Sequence, residues 1–248
     1  MPVKSVSRKV QGALDRKRLP RHVAVIMDGN GRWAAARHLP RVMGHRAGIR
    51  SVRAVVEAAR EWGIQVLTLY AFSRENWKRS AAEVSTLMRL LDEYLRRELD
   101  NMMRNGIRLG VIGEIQGLPE KVQAHLEEVM KATAGNRRLR LNLALNYGGR
   151  AEILRAVRLA IAEAQAGRLK PEELDEAAFS RLLDTGDLPD PDLLIRTSGE
   201  SRVSNFLLWQ ISYAELYWAP VLWPDFGKEA FHQALEEFQK RERRFGGR

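Results

Sequence analysis

The alternation of short apolar runs with segments of helical period is the feature that most limits what this chain can fold into. Residues 23–27 form an apolar run that stops at a carboxylate, and residues 48–62 then place Ile49, Val52, Val55, Val56 and Ala59 at helical spacing before Gly63. Residues 64–72 are a nearly unbroken β-rich run, as in a strand covered on both faces. Ser80-Ala-Ala-Glu83 is a capping box that opens a long helix striped by Val84, Leu87, Leu91, Leu95 and Leu99, and Asn105-Gly106 closes it. The same order continues with strands at 107–112 and 139–146 and helices from Pro119 to before Gly135, at 150–166 and at 171–183. Strands at 193–195 and 206–209 and a basic helix at 229–243 complete it. Strands separated by helices need crossover connections, so the pattern predicts an α/β fold with a mostly parallel, six-stranded central sheet flanked by helices.

At 248 residues and 45% hydrophobic content the chain can bury a large core, and it contains no linker-like tract, internal repeat or apolar run long enough to span a membrane. A single catalytic domain over residues 19–248, preceded by a basic, flexible tail at 1–18, is the organisation this predicts. With no cysteine, disulfides, thiolate metal sites and cysteine nucleophiles are excluded together, and no secretory signal is evident, so a cytoplasmic location is expected. The net charge of +10 is unevenly placed: residues 1–22 carry seven Lys/Arg against one Asp, and residues 240–248 five against one Glu, leaving the body between them neutral. A neutral body with basic ends fits a nucleic-acid binder poorly and fits better peripheral contact with an anionic membrane on its inner face, solubility, or an anionic substrate near one terminus.

In a parallel sheet ligands gather beyond the carboxyl ends of the strands. Four such loops are rich in polar groups: Asp28-Gly-Asn-Gly-Arg32, Ser73-Arg-Glu-Asn-Trp77 with Arg79, Asn146-Tyr-Gly-Gly149, and Arg196 through Ser204. Asp-Gly and Asn-Gly are also hairpin signals, but Trp33-Ala-Ala-Ala-Arg37 favours a helix as the sequel, and a strand-to-helix turn suits an anion. Asp28 offers a hard oxygen for Mg²⁺, Gly29 and Gly31 let backbone N–H groups approach a phosphate, and Arg32 supplies a fork of donors. Arg41, His45 and Arg46 follow closely enough to add charge to the same pocket. No triphosphate loop, dinucleotide turn, nucleophile elbow, His-Glu-x-x-His pair or Asp-Asp pair is present.

Met27-Asp-Gly-Asn-Gly-Arg-Trp33, Gly44-His45, Thr68-Leu-Tyr-Ala-Phe-Ser73, Glu75-Asn-Trp77, Asn146-Tyr-Gly-Gly-Arg150, Ile195-Arg-Thr-Ser-Gly-Glu200, Ser204 through Gln210, Tyr213-Ala-Glu-Leu-Tyr217 and Arg241-Glu-Arg-Arg-Phe245 together resemble the cis-prenyltransferases. The closest likeness is to the bacterial undecaprenyl diphosphate synthases, over nearly the whole chain. The resemblance implies a Mg²⁺-dependent, homodimeric transferase that adds isopentenyl diphosphate repeatedly to an allylic diphosphate such as farnesyl diphosphate, with a cis double bond each round. It assigns Asp28 to Mg²⁺ and to departure of the allylic diphosphate, and Gly29, Asn30, Gly31, Arg32, Arg41 and His45 to holding that group, with Trp33 beside them. Arg196, Arg202 and Ser204 would clamp the isopentenyl diphosphate, and Glu215 would be a second Mg²⁺ ligand, from the same site or from the neighbourhood of a dimer partner. Ser73, Arg74, Glu75, Trp77 and Arg79 would lie between the substrates. Asn76 is the family's proton acceptor, but an amide is a poor base, so orientation of a diphosphate oxygen or of Asp28 is an equal reading.

The family also implies an apolar tunnel for the growing chain. Val84, Leu87, Met88, Leu91, Leu139, Leu141 and Leu143 are its candidate lining, with ordinary core as the competing reading, and the small Ala71 suits a long product. Glu83 reads as a helix cap. Arg74 and Ser80 depart from the family's common residues without removing a charge the chemistry needs. A short- or medium-chain synthase would share these motifs. A silent partner subunit would be expected to have lost the Asp-Gly-Asn-x-Arg run that is complete here.

Overall fold

A computed structural model of the protein describes residues 14–242. Six strands, β1 (His22–Ile26), β2 (Val66–Ser73), β3 (Ile107–Ile112), β4 (Leu139–Tyr147), β5 (Leu193–Arg196) and β6 (Glu215–Trp218), form one sheet in the order β3-β4-β2-β1-β5-β6. Every pairing is parallel, with Val23 level with Leu67 on one side and with Leu193 on the other. Seven α-helices lie among the described residues: α1 (Asn30–Ala35), α2 (Arg41–Trp62), α3 (Ala81–Asn105), α4 (Glu120–Ala132), α5 (Gly149–Gln165), α6 (Glu176–Arg181) and α7 (Lys228–Gln239). None of them is long and apolar enough to cross a membrane.

Strand β1 is buried along its whole length because both of its faces are covered. Val23 and Val25 join the larger core with residues of α2, α3, α4 and α7, whereas Ala24 and Ile26 face a smaller cluster with Tyr147, Phe206 and Leu207. Strand β1 connects onward to β2 on one side and its other neighbour β5 connects onward to β6 on the opposite side, and this reversal opens a crevice at the carboxyl ends of β1 and β5.

The sequence reading needs correction at several boundaries. The sixth strand is β6, not residues 206–209. Phe206 and Leu207 are apolar because they plug the second face of the sheet from a turn, with Phe206 stacked on Tyr70 at 4.4 Å and Leu207 at φ 48°. Helix α2 begins at Arg41, well before Gly48, because Gly44 serves packing here: a Cβ on it would lie 1.9 Å from the Asn30 carbonyl of α1. Strand β2 starts two residues after Ile64, whose N–H instead closes α2 onto the Ala59 carbonyl at 2.9 Å. Residues 171–183 split into a 3-10 turn (Pro171–Glu173) and α6, since Asp175 caps Ala178. The terminal helix ends at Gln239.

The basic tail also needs redrawing. Residues 1–13 and 243–248 lie outside the described residues, but a 3-10 turn (Arg16–Arg18) packs on the end of α7. Gln239 Nε2 donates to the Asp15 carbonyl at 2.6 Å and an Arg18 nitrogen donates to the Gln239 carbonyl at 2.6 Å. The fold therefore includes residues assigned to the tail.

Candidate active site

Asp28 follows β1 and its backbone is held independently of its side chain. The Thr197 hydroxyl accepts from the Asp28 N–H at 2.9 Å and donates to the Asp28 carbonyl at 2.6 Å, which also accepts from the Trp223 N–H at 2.9 Å. The chain then turns at Gly29 with φ 106°, where a Cβ would meet Leu222 at 2.8 Å, so glycine is required on both counts. The helix expected next exists but spans only six residues.

Two guanidinium groups converge on the Asp28 carboxylate, Arg196 at 3.0 Å and Arg32 at 3.2 Å. Burial pushes the Asp28 carboxyl up, but the Arg196 hydrogen bond and the Arg196 and Arg32 charges outweigh it and hold the pKa below the ordinary value. Arg196 is itself buried. It donates to Ser204 Oγ at 2.7 Å and to the Arg202 carbonyl at 2.5 Å, and its Nε has no partner among the described residues. Arg202 pairs with Glu200, which also takes Arg32 at 2.9 Å.

A second cationic group surrounds Glu83, which receives Arg79 at 2.7 Å, His45 at 3.3 Å and Arg41 at 3.4 Å. Its backbone N–H still bonds the Ser80 hydroxyl, so the expected cap is present. The cap reading concealed the carboxylate's other contacts, which gather two of the expected diphosphate ligands, Arg41 and His45, beside Arg79. Burial lowers the His45 pKa against the opposing pull of Glu83, with the Arg79 and Arg41 charges adding to the lowering.

Three cavities meet at Met27 and Arg79, which line all of them. One, of about 370 Å³, is walled by Asp28, Gly29, Asn30, Gly31, Arg32, Arg41 and His45. A second, of about 1100 Å³, is walled by Asp28, Ser73, Glu75, Asn76, Arg196, Arg202 and Ser204. The third, of about 880 Å³, is an open, largely apolar cleft between the sheet and helices α2 and α3, with Ala71, Leu87, Leu91, Tyr94 and Leu143 in its walls. Of the expected tunnel lining, Leu139 and Leu141 are core, and Val84 and Met88 line a separate shallow surface. The structure thus holds a cleft where the resemblance implied a tunnel.

The loop after β2 is a 3-10 turn (Arg74–Lys78) in which the Asn76 side-chain oxygen accepts from the Ser73 N–H at 3.1 Å. With that oxygen engaged, the amide offers the site donor hydrogens, which fits orientation better than proton acceptance. Trp77 donates to Asn146 at 2.8 Å and lines the shallow surface, Arg74 pairs with Glu114 at 2.7 Å, and Trp33 donates to Asp225 at 2.7 Å; none of these three walls the site cavities. Glu215 is not brought to Asp28 within the chain. It sits level with Leu193, three residues before Arg196 and so about 10 Å down the strand, and it pairs with Arg241 at 2.8 Å.

Residues 26–246 match the family model described as putative undecaprenyl diphosphate synthase. The chain belongs to that family of isoprenyl transferases. Curated isoprenyl transferases of Heliobacterium mobile and Zymomonas mobilis are each 53% identical, the first over 94% of this chain and 90% of its own length, the second over 92% of both. Among solved structures, lavandulyl diphosphate synthase from Lavandula x intermedia in complex with dimethylallyl diphosphate superposes with a TM-score of 0.90 at 37% identity, covering 93% of this chain and 99% of that one. A probable undecaprenyl diphosphate synthase from Campylobacter jejuni gives 0.76 at 37% identity, over 92% and 98%.

Seen as an isoprenyl transferase, the site tests well for a divalent cation shared with substrate. No group of three or more His, Cys, Asp or Glu side chains suited to a metal occurs among the described residues. Asp28 lines both of the guanidinium-walled cavities, and Asn30 Oδ1 is buried without a partner among the described residues. Mg²⁺ is commonly held by one or two carboxylates with phosphate oxygens and water completing its shell, and these residues fit that arrangement.

Proposed function

We propose that the protein condenses isopentenyl diphosphate repeatedly onto an allylic diphosphate, farnesyl diphosphate, forming a cis double bond each round and releasing a long polyprenyl diphosphate of the undecaprenyl carrier-lipid type. The observation that carries this reading is the meeting of two guanidinium-lined cavities with one apolar cleft at Met27 and Arg79. Bisubstrate condensation of two diphosphates needs two anion sites and a dry place for the product chain. The bound dimethylallyl diphosphate of the Lavandula relative supports an allylic diphosphate as one substrate.

In this reading Arg32, Arg41 and the backbone of residues 29–31 hold the allylic diphosphate, with His45 as a hydrogen-bonding partner, while Arg196, Arg202 and Ser204 hold isopentenyl diphosphate. Asp28 holds Mg²⁺, which supplies charge stabilisation as the allylic C–O bond breaks. A carbon–carbon bond forms between the terminal alkene carbon of isopentenyl diphosphate and the allylic C1, diphosphate departs with the electron pair, and one proton is lost from the isopentenyl unit. Asn76 orients the oxygen that takes the proton, on a diphosphate or on Asp28. Ser73, Glu75 and Arg79 separate the two anion sites, and Leu87, Leu91, Leu143 and Ala71 receive the hydrocarbon. Arg74, Trp33 and Trp77 act outside this pocket.

A short-chain product is the second reading, favoured by the closer superposition on a lavandulyl diphosphate synthase. One experiment tests both: labelled isopentenyl diphosphate and farnesyl diphosphate with Mg²⁺ or EDTA, beside Asp28→Ala, followed by product sizing. Metal-dependent polyprenyl diphosphate, lost in the variant, supports the reading, and its length separates the two versions. No product from farnesyl, geranyl or dimethylallyl starters, with folded protein, would sink it.

We propose further that the enzyme is a homodimer joined through the exposed stripe Leu154, Val157 and Ile161 of α5, which sedimentation of Ile161→Glu would test. In that arrangement Glu215 could reach Mg²⁺ only from a second copy. The docking of residues 15–18 on the end of α7 supports one more proposal, that a cytoplasmic enzyme uses its two basic ends at one place against the anionic inner leaflet. Co-sedimentation with phosphatidylglycerol but not phosphatidylcholine vesicles is the expected result.

A further inference from the structure

Six non-glycine residues take a positive φ among the described residues, and five of them lie at the carboxyl edge of the sheet, Asn146 near the end of β4 and Ser198, Ser204, Asn205 and Leu207 in loops. Such positions are strained and persist where surrounding structure fixes them. Asn tolerates this region through local hydrogen bonding, but at φ 75° a serine gains over glycine only through its hydroxyl.

At Ser198 the backbone is fixed from outside. Its N–H donates to the Val221 carbonyl at 2.7 Å and the next N–H, of Gly199, donates to Ala219 at 2.8 Å. The hydroxyl accepts from Arg32 Nη2 at 2.6 Å, and the same nitrogen donates to the Asp28 carboxylate at 3.2 Å. Two residues on, Glu200 takes the other terminal nitrogen of Arg32 at 2.9 Å. The loop thus grips both ends of a guanidinium whose side chain is about half exposed and would otherwise sample several rotamers.

We propose that Ser198 is a positioning residue of the transfer reaction: its hydroxyl, kept at a backbone position glycine would occupy without strain, fixes Arg32 beside Asp28 so that the allylic diphosphate meets a preformed pair. This rests on the reading that Arg32 binds that diphosphate. Preorganisation of this kind appears as affinity, because less side-chain freedom is lost on binding.

The test compares wild type with Ser198→Gly, Ser198→Ala, Arg32→Ala and the double variant Arg32→Ala/Ser198→Ala. Glycine removes the hydroxyl and relieves the backbone, whereas alanine removes only the hydroxyl. In both, the KM for the allylic diphosphate should rise roughly five- to tenfold while kcat changes less than about twofold and the KM for isopentenyl diphosphate stays put. The glycine variant should melt at or above the wild-type temperature, and the alanine change should add nothing once Arg32 is gone. Unchanged allylic KM, an undiminished effect in the Arg32→Ala background, or a glycine variant that both binds weakly and melts early would overturn the proposal. Should wild type transfer nothing, the functional reading fails by itself. Calorimetry with inorganic pyrophosphate then decides the positioning role, weaker binding in both Ser198 variants supporting it and equal binding ending it.

Discussion

The two ends of the same strands treat charge in opposite ways. At the amino edge each polar group named here is satisfied from within the fold. Asp192 accepts the N–H groups of Arg21 and His22, His22 bonds the Pro189 carbonyl through Nδ1 and Thr68 Oγ1 through Nε2, both at 2.7 Å, and Glu215 takes Arg241. At the carboxyl edge Arg32, Arg41, Arg79, Arg196 and Arg202 share three carboxylates, Asp28, Glu83 and Glu200, and Arg196 keeps a buried nitrogen without a partner among the described residues. A network closed on itself stabilises a fold. One left with donors in hand is set up for an anionic ligand, and the difference separates the two without reference to any relative.

The largest expected effect breaks the carboxyl edge alone. Asp28→Ala should lower transfer by about a thousandfold or more, while thermal unfolding stays close to wild type because Thr197 and Trp223 hold the backbone at that position. Next is Arg196→Ala, which should raise the KM for isopentenyl diphosphate by roughly a hundredfold. The same change removes the main group that opposes burial at Asp28, so the acid limb of the pH–rate profile should move to higher pH. An unmoved limb would show that Asp28 does not govern it.

The amino edge should answer in stability instead. Burial lowers the His22 pKa to about 4, against the pull of the Pro189 carbonyl and Asp192. The unfolded chain binds that proton more readily, so stability should fall as pH drops from about 6.5 toward 4, by an amount on the order of 3 kcal/mol. Urea titrations of wild type and His22→Gln across this range should differ in slope, with kcat at pH 7 alike in both; a loss of kcat in folded His22→Gln would break the division between the edges. The smallest effect is expected from Glu215→Gln, below about 1 kcal/mol, since its ion pair is partly exposed. A rise in the Mg²⁺ concentration needed for half-maximal activity in this variant would instead place that carboxylate at the metal across a subunit boundary.

What could be read from the sequence was what local physics decides. The caps at Ser80, Gly63 and Gly106 depend on neighbours a few residues away, and all are found. Strand β6 was missed because it is four half-buried residues at the sheet edge, while the more apolar residues 206–209 fill a turn. The first turns of α2 were hidden by glycines that look like helix breakers and serve as contacts with α1. In the site, sequence brought the right loops together, but Arg74 and Trp33 are drawn off by Glu114 and Asp225, partners far along the chain that no local pattern names. Glu83 was concealed by its own cap. Ser198 left no trace beyond standing in a polar loop, since a positive φ cannot be read from a serine.

Arg79 borders every compartment of the site. A side chain shared so widely is a poor place for adaptation, because any replacement alters the handling of both anions and of the hydrocarbon at once. The apolar walls further along the cleft, Leu87, Leu91 and Tyr94, touch neither of the two polar cavities. Descendants of one ancestral enzyme can therefore diverge in what they make by drift at those walls, while the junction at Arg79 stays under constraint from every ligand simultaneously.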